Sequence, residues 1–234
     1  MNRQSPHGLN RKRVQQLHRV AESAARPAAR IDRISEKLIG EPYCVNPLIG
    51  SAGSAEIFTA EMKGFDCVTY IETVLALAQS SDASRFAENL RGIRYADGRI
   101  DWRRRNHYMS EWIRNNIRAG SVRRVPGLKA SVEKQRTLNI VPGLPARRAR
   151  FSCVPKASLL RQASKLQTGD LIFFASTRPH LDVFHCGIVV NNGNGLRLRH
   201  ASRSRGGVVE QELAEFLKQN RMAGVMVVRP VEAD

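Results

Sequence analysis

The spacing of apolar residues changes along this chain, and the change constrains the fold more than any other feature of the sequence. Between residues 14 and 117 apolar side chains recur at the intervals that place them on one face of a helix. After residue 170 they form short runs separated by Gly, Asn, Pro and Ser, which is typical of strands. Because helices come first and strands follow, the sequence predicts an α+β domain with an antiparallel sheet.

The clearest helical pattern begins at Cys67 and ends near Ala78. Two short amphipathic helices are expected before it, on either side of Pro27. The predicted strands cover residues 171–174, 187–190, 196–200 and 224–228, with one helix at 212–218 among them.

Turn residues guide the predictions between these regions. The Asp97-Gly98 pair suggests a hairpin between residues 93–95 and 100–102. Ser110 is expected to cap a helix that stops at Gly120. Residues 121–155, rich in Arg, Pro and Gly, are predicted to be a long irregular connection with a short helix near residues 132–138.

The formal charge of +17 is unevenly distributed, since residues 85–150 hold 17 Lys or Arg against 5 Asp or Glu. Such a field attracts polyanions, so nucleic acid, anionic cell-wall polymer and acidic membrane surfaces are admissible partners. No apolar run approaches the roughly 18 to 20 residues of a transmembrane helix, which argues against a transmembrane protein. Residues 1–13 are basic and polar, and no secretory signal is recognisable after them.

Four cysteines are spaced in a way that fits neither a zinc motif nor a dense disulfide scaffold. They are Cys44, Cys67, Cys153 and Cys186. Cys67 differs from the others because it opens the best helix, where free backbone N–H groups and the helix dipole favour a thiolate. A thiolate there would be a nucleophile, although a small buried hydrophobic side chain is the commoner state of a lone cysteine.

Two histidines on neighbouring predicted strands could serve such a nucleophile. His185 begins one strand, and Gly187 beside it leaves room for a close approach. His200 shares the face of Leu196 and Leu198, so its ring should be partly buried. A cysteine, a base and an orienting group form a catalytic unit by geometry, not by chain order. In that interpretation His185 takes the thiol proton and His200 fixes its tautomer, while backbone N–H groups near Cys67 hold the oxyanion.

Several stretches of the sequence resemble the N-acetylmuramoyl-L-alanine amidase-like family of the NlpC-type, papain-like cysteine peptidases and amidases. They are residues 65–73, 106–109, 169–174, 176–179, 182–187 and 199–202, in the expected order. The resemblance runs over roughly residues 30 to 230. It therefore divides the chain into a basic N-terminal extension, 1–30, and a single papain-like amidase domain, 31–234.

The resemblance implies a papain-like α+β fold whose cysteine-bearing helix packs on the antiparallel sheet. It also implies that the protein cleaves the amide between N-acetylmuramic acid and L-alanine in peptidoglycan fragments or muropeptides, without a metal or other cofactor. Cys67 would be the nucleophile, His185 the base and His200 the third member. A periplasmic or secreted location follows from the family, and relatives in the wider superfamily cut within the stem peptide instead.

Other residues of the matching stretches and their surroundings are candidate walls of a substrate pocket. Aromatic faces suit a sugar or peptide and an arginine suits a carboxylate, although each residue could equally be structural. The candidates are Trp102, His107, Tyr108, Arg178, Asp182 and Ser202. Ser202 opens a polar segment, 202–207, that is expected to be a mobile loop over the site or an ordinary surface turn.

Two rival functions remain open at this point. A basic nucleic-acid-binding protein would use Arg103–Arg105 and the other arginine pairs to neutralise phosphates, but the sequence has no aromatic platform or recognition motif. No specific nucleic acid is therefore expected as a partner. A thiol acyltransferase on the same scaffold would pass the acyl group to an amine in place of water.

Overall fold

In a computed structural model of the protein, residues 6–24, 26–191, 193 and 195–231 are described. The first half is mainly helical, with α1 (Arg11–Glu22), α2 (Pro27–Lys37), the hairpin β1 (Ile49–Ser51) and β2 (Ser54–Ile57), α3 (Cys67–Ala78), α4 (Phe86–Arg94) and α5 (Met109–Arg118). The second half holds β3 (Val122–Arg124), β4 (Val132–Leu138), β5 (Arg147–Cys153), α6 (Lys156–Arg161), β6 (Leu171–Ala175), β7 (Val183–Asn191), β8 (Leu196–Ser202), β9 (Gly207–Glu212), α7 (Leu213–Gln219) and β10 (Gly224–Pro230).

The main sheet has six strands in the order β3-β10-β6-β7-β8-β9, and all of its pairings are antiparallel. Its central strand β6 is buried on both faces. Leu171 and Phe173 point into the larger core under the helices α1 to α5, while Ile172 and Phe174 point into a second core under α7. The predicted α+β class with an antiparallel sheet is confirmed.

Helix α3 lies at the centre of the larger core. Every residue from Thr69 to Ala78 is buried, as expected for a helix that is apolar on most of its surface. It packs against α1, α2 and α4 on one side and against β7 and β8 of the main sheet on the other. The first turn of α3 therefore meets the strands that carry the two candidate histidines.

The predicted irregular connection over residues 121–155 is wrong in its central part. Residues 132–138 form the strand β4, not a helix, and pair residue by residue with β5 from Val132 opposite Cys153 to Leu138 opposite Arg147. Alternate residues of both strands are half-buried and exposed. The pattern is hidden in the sequence because the half-buried positions include Lys134 and Arg136, whose alkyl stems cover surface while their charges stay in water.

Two turn predictions between residues 93 and 120 are also wrong. No hairpin forms around Asp97-Gly98, because Ile93 belongs to the buried face of α4 and a 3-10 turn, Ala96–Gly98, follows directly. Ser110 does not cap α5; the helix begins one residue earlier, and the backbone N–H of Ser110 donates to the carboxylate of Asp182 at 2.6 Å. A carboxylate at a helix start offsets the positive end of the dipole.

The first helices pack on the rest of the fold. Val14 and Leu17 of α1 and Ile31 and Ile34 of α2 are buried in the same core as α3. Of the expected N-terminal extension, residues 1–5 and 25 lie outside the described residues, whereas α1 contributes to the core. Within the described part of the chain, no helix has the length and apolar character needed to cross a membrane.

Candidate active site

Cys67 is the first residue of α3, and the start of that helix is held by its own side chains. Asp66 is the N-cap residue: its carboxylate accepts from the backbone N–H of Thr69 at 2.7 Å, and the Thr69 hydroxyl accepts from the backbone N–H of Asp66 at 3.1 Å. The Asp66 side chain uses the backbone N–H of Thr69, so the backbone N–H groups of the helix residues before Thr69 are not occupied by the cap. They are available to hold an anion beside the sulfur.

Two side chains of β7 reach the sulfur of Cys67, which is itself half-buried. The thiol of Cys186 donates a hydrogen bond that lowers the pKa of Cys67, and hydrogen bonding and positive charge at His185 lower it further, so that together they outweigh burial. The net result is a Cys67 pKa well below the usual range. Cys186 is fully buried, and burial raises the pKa of its thiol, so it keeps its proton and acts as the donor. Its S–H donates to the backbone oxygen of Cys67 at 3.2 Å, and because a thiol has one hydrogen it serves either that oxygen or the Cys67 sulfur at any one time.

His185 and His200 form a direct contact, with Nε2 of His185 2.6 Å from Nδ1 of His200. Since Nε2 of His185 is occupied in this way, its Nδ1 is left available for another partner. Burial lowers the pKa of His200 to about 3, with smaller contributions from His185 and Arg205. A neutral His200 can accept a hydrogen bond at Nδ1, which suits the orienting position.

Aromatic rings enclose the two imidazoles. Phe216 of α7 stacks on His185 with ring centres 5.5 Å apart and meets His200 edge-on at the same distance. Phe174 of β6 lies parallel to His185 at 6.2 Å. This apolar cover limits water around the bond between the imidazoles and thereby strengthens it. Phe216 was not among the predicted site residues, because nothing in the local pattern of α7 indicates what its buried face contacts.

Gly187 allows the strands that carry the histidines to approach. A Cβ atom at this position would lie 3.0 Å from Cβ of His200 and 2.7 Å from Cδ1 of Leu198. Contacts this short would force β8 away from β7. The room expected at Gly187 is therefore used by the neighbouring strand and its histidine.

Tyr43 is a second residue near the sulfur that was not predicted from the sequence. The segment before β1 runs beside the chain that leads into α3, because Tyr43 forms a β-bridge with Phe65. The same segment contacts the turn after β8, where the N–H of Tyr43 donates to the carbonyl of Gly206 at 2.8 Å. Burial raises the pKa of Tyr43, and the negative charges of Cys67 and Asp66 raise it further. Its phenol therefore remains a hydrogen-bond donor near the sulfur.

Three of the candidate pocket residues form a separate cluster with local partners. Trp102 and His107 meet edge-on with ring centres 4.8 Å apart, and Nε2 of His107 lies 2.7 Å from the Trp102 carbonyl. Burial lowers the pKa of His107 to about 4, so the ring is neutral and donates to that carbonyl. Tyr108 is buried, and its hydroxyl accepts from the backbone N–H groups of Ile140 and Val141. None of these contacts within the described residues includes Cys67 or His185.

The remaining candidates lie on the loops that flank the histidine strands. Asp182 is buried and uses its carboxylate for the N–H groups of Val183 and Ser110. Arg178 is exposed in the loop between β6 and β7, and Ser202 ends β8 with its hydroxyl 3.2 Å from that of Ser204. A substrate contact at any of these positions stays a prediction.

The basic segments are partly neutralised. Arg105 pairs with Glu56, Arg104 with Asp97, and Arg147 with Glu111. Across the described ranges, no group of three or more His, Cys, Asp or Glu side chains is arranged to hold a metal ion.

Known proteins resemble this chain in sequence and in fold. The model of the N-acetylmuramoyl-L-alanine amidase-like family matches residues 33–225. A comparison with curated proteins found no significant match. Among solved structures, an N-acetylmuramoyl-L-alanine amidase from Bacteroides uniformis ATCC 8492 is 28% identical with a TM-score of 0.72, over 85% of this chain and 97% of that chain.

Two further solved structures are similar in fold. A putative xylanase from Bacteroides fragilis is 27% identical with a TM-score of 0.75, over 83% of this chain and 98% of that chain. A protein from Legionella pneumophila is 21% identical with a TM-score of 0.80, over 95% of each chain. At that identity the Legionella protein shows the fold alone.

Proposed function

Because the chain belongs to the N-acetylmuramoyl-L-alanine amidase-like family, we propose that it is a papain-like cysteine hydrolase that cleaves the amide between N-acetylmuramic acid and L-alanine. The substrate class is peptidoglycan fragments or muropeptides. One observation carries the cysteine mechanism: Nε2 of His185 lies 2.6 Å from Nδ1 of His200, and hydrogen bonding with the same His185 lowers the pKa of the Cys67 thiol at the start of α3. The arrangement supplies a nucleophile, a base that accepts its proton, and a group that orients the base.

In the first half of the reaction, the proton of Cys67 resides on Nδ1 of His185 and the thiolate attacks the carbonyl carbon of the lactyl group. The C–S bond forms as the carbonyl electron pair moves to oxygen. We assign the backbone N–H groups at the start of α3 and the phenol of Tyr43 to this oxyanion. When the oxyanion collapses, the C–N bond breaks and Nδ1 of His185 gives its proton to the leaving amine of L-alanine.

In the second half, the lactyl group is held as a thioester on Cys67. His185 takes a proton from water, the hydroxide attacks the thioester carbonyl, and the thiolate leaves. His200 keeps the Nδ1 lone pair of His185 directed at the sulfur throughout, because it accepts the Nε2–H of that ring. Cys186 contributes a neutral donor that stabilises the thiolate before attack and after release.

Mass spectrometry of a muropeptide digest tests the proposal. We expect a glycan that ends in an intact lactyl carboxylate and a free peptide that begins with L-alanine, with no product from Cys67→Ala. Products cut within the stem peptide would replace this substrate assignment by that of an endopeptidase. Transfer to a labelled amine in place of water would instead identify an acyltransferase, and a salt-sensitive shift of duplex DNA without amide cleavage would identify a nucleic-acid-binding protein.

A further inference from the structure

Nε2 of His200 is a buried polar atom that the contacts above leave unexplained. The ring is 3% exposed and its Nδ1 faces His185. Nε2 is on the other side of the ring from that contact and has no hydrogen-bond partner among the described residues. An unpaired buried polar atom is unfavourable, because it has lost its hydrogen bonds to water without gaining others.

The strand register shows which polar side chain lies nearest. In the pairing of β8 with β9, His200 is opposite Val209 and Leu198 is opposite Gln211. Side chains two residues apart on one strand share a face, so Gln211 is the diagonal neighbour of His200 on the same face of the sheet. Gln211 is 8% exposed, which is unusual for a glutamine side chain. Because β9 lies beyond β8 from β7, Gln211 is placed on the side of His200 that is opposite to His185.

The proposed reaction requires one particular tautomer of each ring. Nδ1 of His185 must be free to take the proton of Cys67, so the neutral ring carries its hydrogen on Nε2. That hydrogen is donated to Nδ1 of His200, and a neutral His200 must then carry its own hydrogen on Nε2. An oxygen placed beside this nitrogen favours that state. An amide NH₂ group in the same place would favour the opposite and unproductive state of both rings.

We propose that Gln211 is a positioning residue whose carboxamide oxygen accepts the Nε2–H of His200 and thereby sets the tautomers of both histidines. The inference rests on the proposed function of the pair as base and orienting group. This hydrogen bond is strengthened when His185 carries the thiol proton, because a charged His185 polarises the hydrogen bond beyond it. Gln211 is close enough to raise the pKa of His200, against the larger effect of burial that lowers it.

Three substitutions distinguish the role of the Gln211 carboxamide oxygen as an acceptor from the role of the side chain in filling space. Gln211→Met keeps the length and removes the acceptor, Gln211→Asn withdraws the amide by one methylene, and Gln211→Glu retains an oxygen. Glu212→Gln is the matched control, since Glu212 is exposed on the same strand and points to the other face. Circular dichroism establishes that each variant is folded before it is compared.

The first readout needs no substrate. Imidazole ¹⁵N chemical shifts report the tautomer of each ring, and the rate of iodoacetamide labelling reports the state of the Cys67 thiol. We expect Gln211→Met and Gln211→Asn to populate the second tautomer and to slow labelling, with Gln211→Glu and Glu212→Gln close to the original protein. Unchanged tautomers in folded Gln211→Met would overturn the inference.

The second readout is kinetic. On muropeptides, Gln211→Met should lower kcat about 10- to 100-fold with little change in KM, as is typical when a group behind an active residue is removed. Gln211→Glu should recover most of kcat; failure of that rescue would mean that Gln211 only fills space. If the chain cleaves no muropeptide at all while tautomers and thiol reactivity still follow Gln211, the substrate assignment fails and the positioning role stands.

Discussion

His107 and His185 were both candidate site residues in the sequence, but their ring nitrogens have different partners in the structure. Nε2 of His107 faces the carbonyl of Trp102, five residues away in the same loop. Nε2 of His185 faces Nδ1 of His200, on another strand, and its ring also reaches the sulfur of Cys67. A backbone carbonyl can only accept, so it fixes a ring. A second titratable ring can pass on a change of charge, and that difference distinguishes a structural histidine from a reactive one.

The largest expected effect is at the sulfur. Cys67→Ala should lower amide cleavage about 10⁴-fold or more, because the neighbouring thiol of Cys186 is fully buried and its raised pKa keeps it protonated. The measurement is release of L-alanine-led peptide from a defined muropeptide. Cys44→Ala is the matched control, since Cys44 is also half-buried and should leave turnover unchanged. Turnover by a folded Cys67→Ala protein would remove the sulfur from the mechanism.

Substitutions in both clusters test the comparison directly. His185→Ala should lower kcat about 10³-fold or more with a small change in the free energy of unfolding, and His200→Ala should lower kcat less, since an orienting group is more dispensable than the base. His107→Ala should do the reverse: it should lower the free energy of unfolding by about 1 to 3 kcal/mol and leave kcat within about twofold. Denaturant unfolding and initial rates on the same preparations measure both quantities. Equal losses of kcat at His107 and His185 would contradict the distinction.

The neighbouring thiol gives a smaller effect. Cys186→Ala removes the donor that contributes most to the lowered pKa of Cys67, so the pH midpoint of iodoacetamide labelling at Cys67 should move upward. Labelling on the acidic side of the midpoint should slow, while labelling at high pH should not change. Cys153→Ala provides the control, because Cys153 lies on β5, is buried, and its raised pKa is caused by burial alone. If the pH midpoint of Cys67 labelling does not move in Cys186→Ala, the lowered pKa of Cys67 is caused by the helix start and His185 instead.

Local periodicity was enough to predict α3 and the central strands, and the position of Cys67 at a helix start followed from it. Chemistry then indicated His185 and His200, because alternation along β8 places His200 on the buried face. Tyr43, Phe216 and Gln211 could not be predicted, since each lies near its partner only in the folded chain and carries no local pattern of its own. The same holds for α5, whose cap is a carboxylate 72 residues away in sequence.

Lysine- and arginine-rich strands were the other source of error. The β4–β5 hairpin lacks the apolar alternation by which a strand is recognised, because its half-buried positions are filled by basic side chains as well as by Val132 and Phe151. Arg147 shows why these are tolerated: it pairs with Glu111 and lies over the ring of Tyr108. Pairing and stacking of this kind depend on the tertiary fold, which a sequence window does not contain.

The smallest expected effect is at the cap of α3. Burial raises the pKa of Asp66 to about 6, and the neighbouring Cys67 thiolate adds to the increase. A carboxyl group whose pKa is higher in the folded than in the unfolded chain favours folding at low pH, and this contribution is lost as the pH rises from about 4 to about 6. Asparagine caps a helix about as well as aspartate and carries no charge. Asp66→Asn should therefore unfold like the original protein at pH 4 and be more stable by about 1 to 3 kcal/mol at pH 7.

Denaturant unfolding across this pH range measures the difference. The Cys67→Ala background separates the two causes, because it removes the thiolate and leaves the burial of Asp66 in place. Most of the stabilisation by Asp66→Asn should persist there, since burial is the larger cause. Parallel stability curves for the original protein and the Asp66→Asn variant between about pH 4 and pH 7 would mean that the cap carries no unfavourable charge. The thiolate would then owe its stability to Cys186 and His185 without opposition from its neighbour.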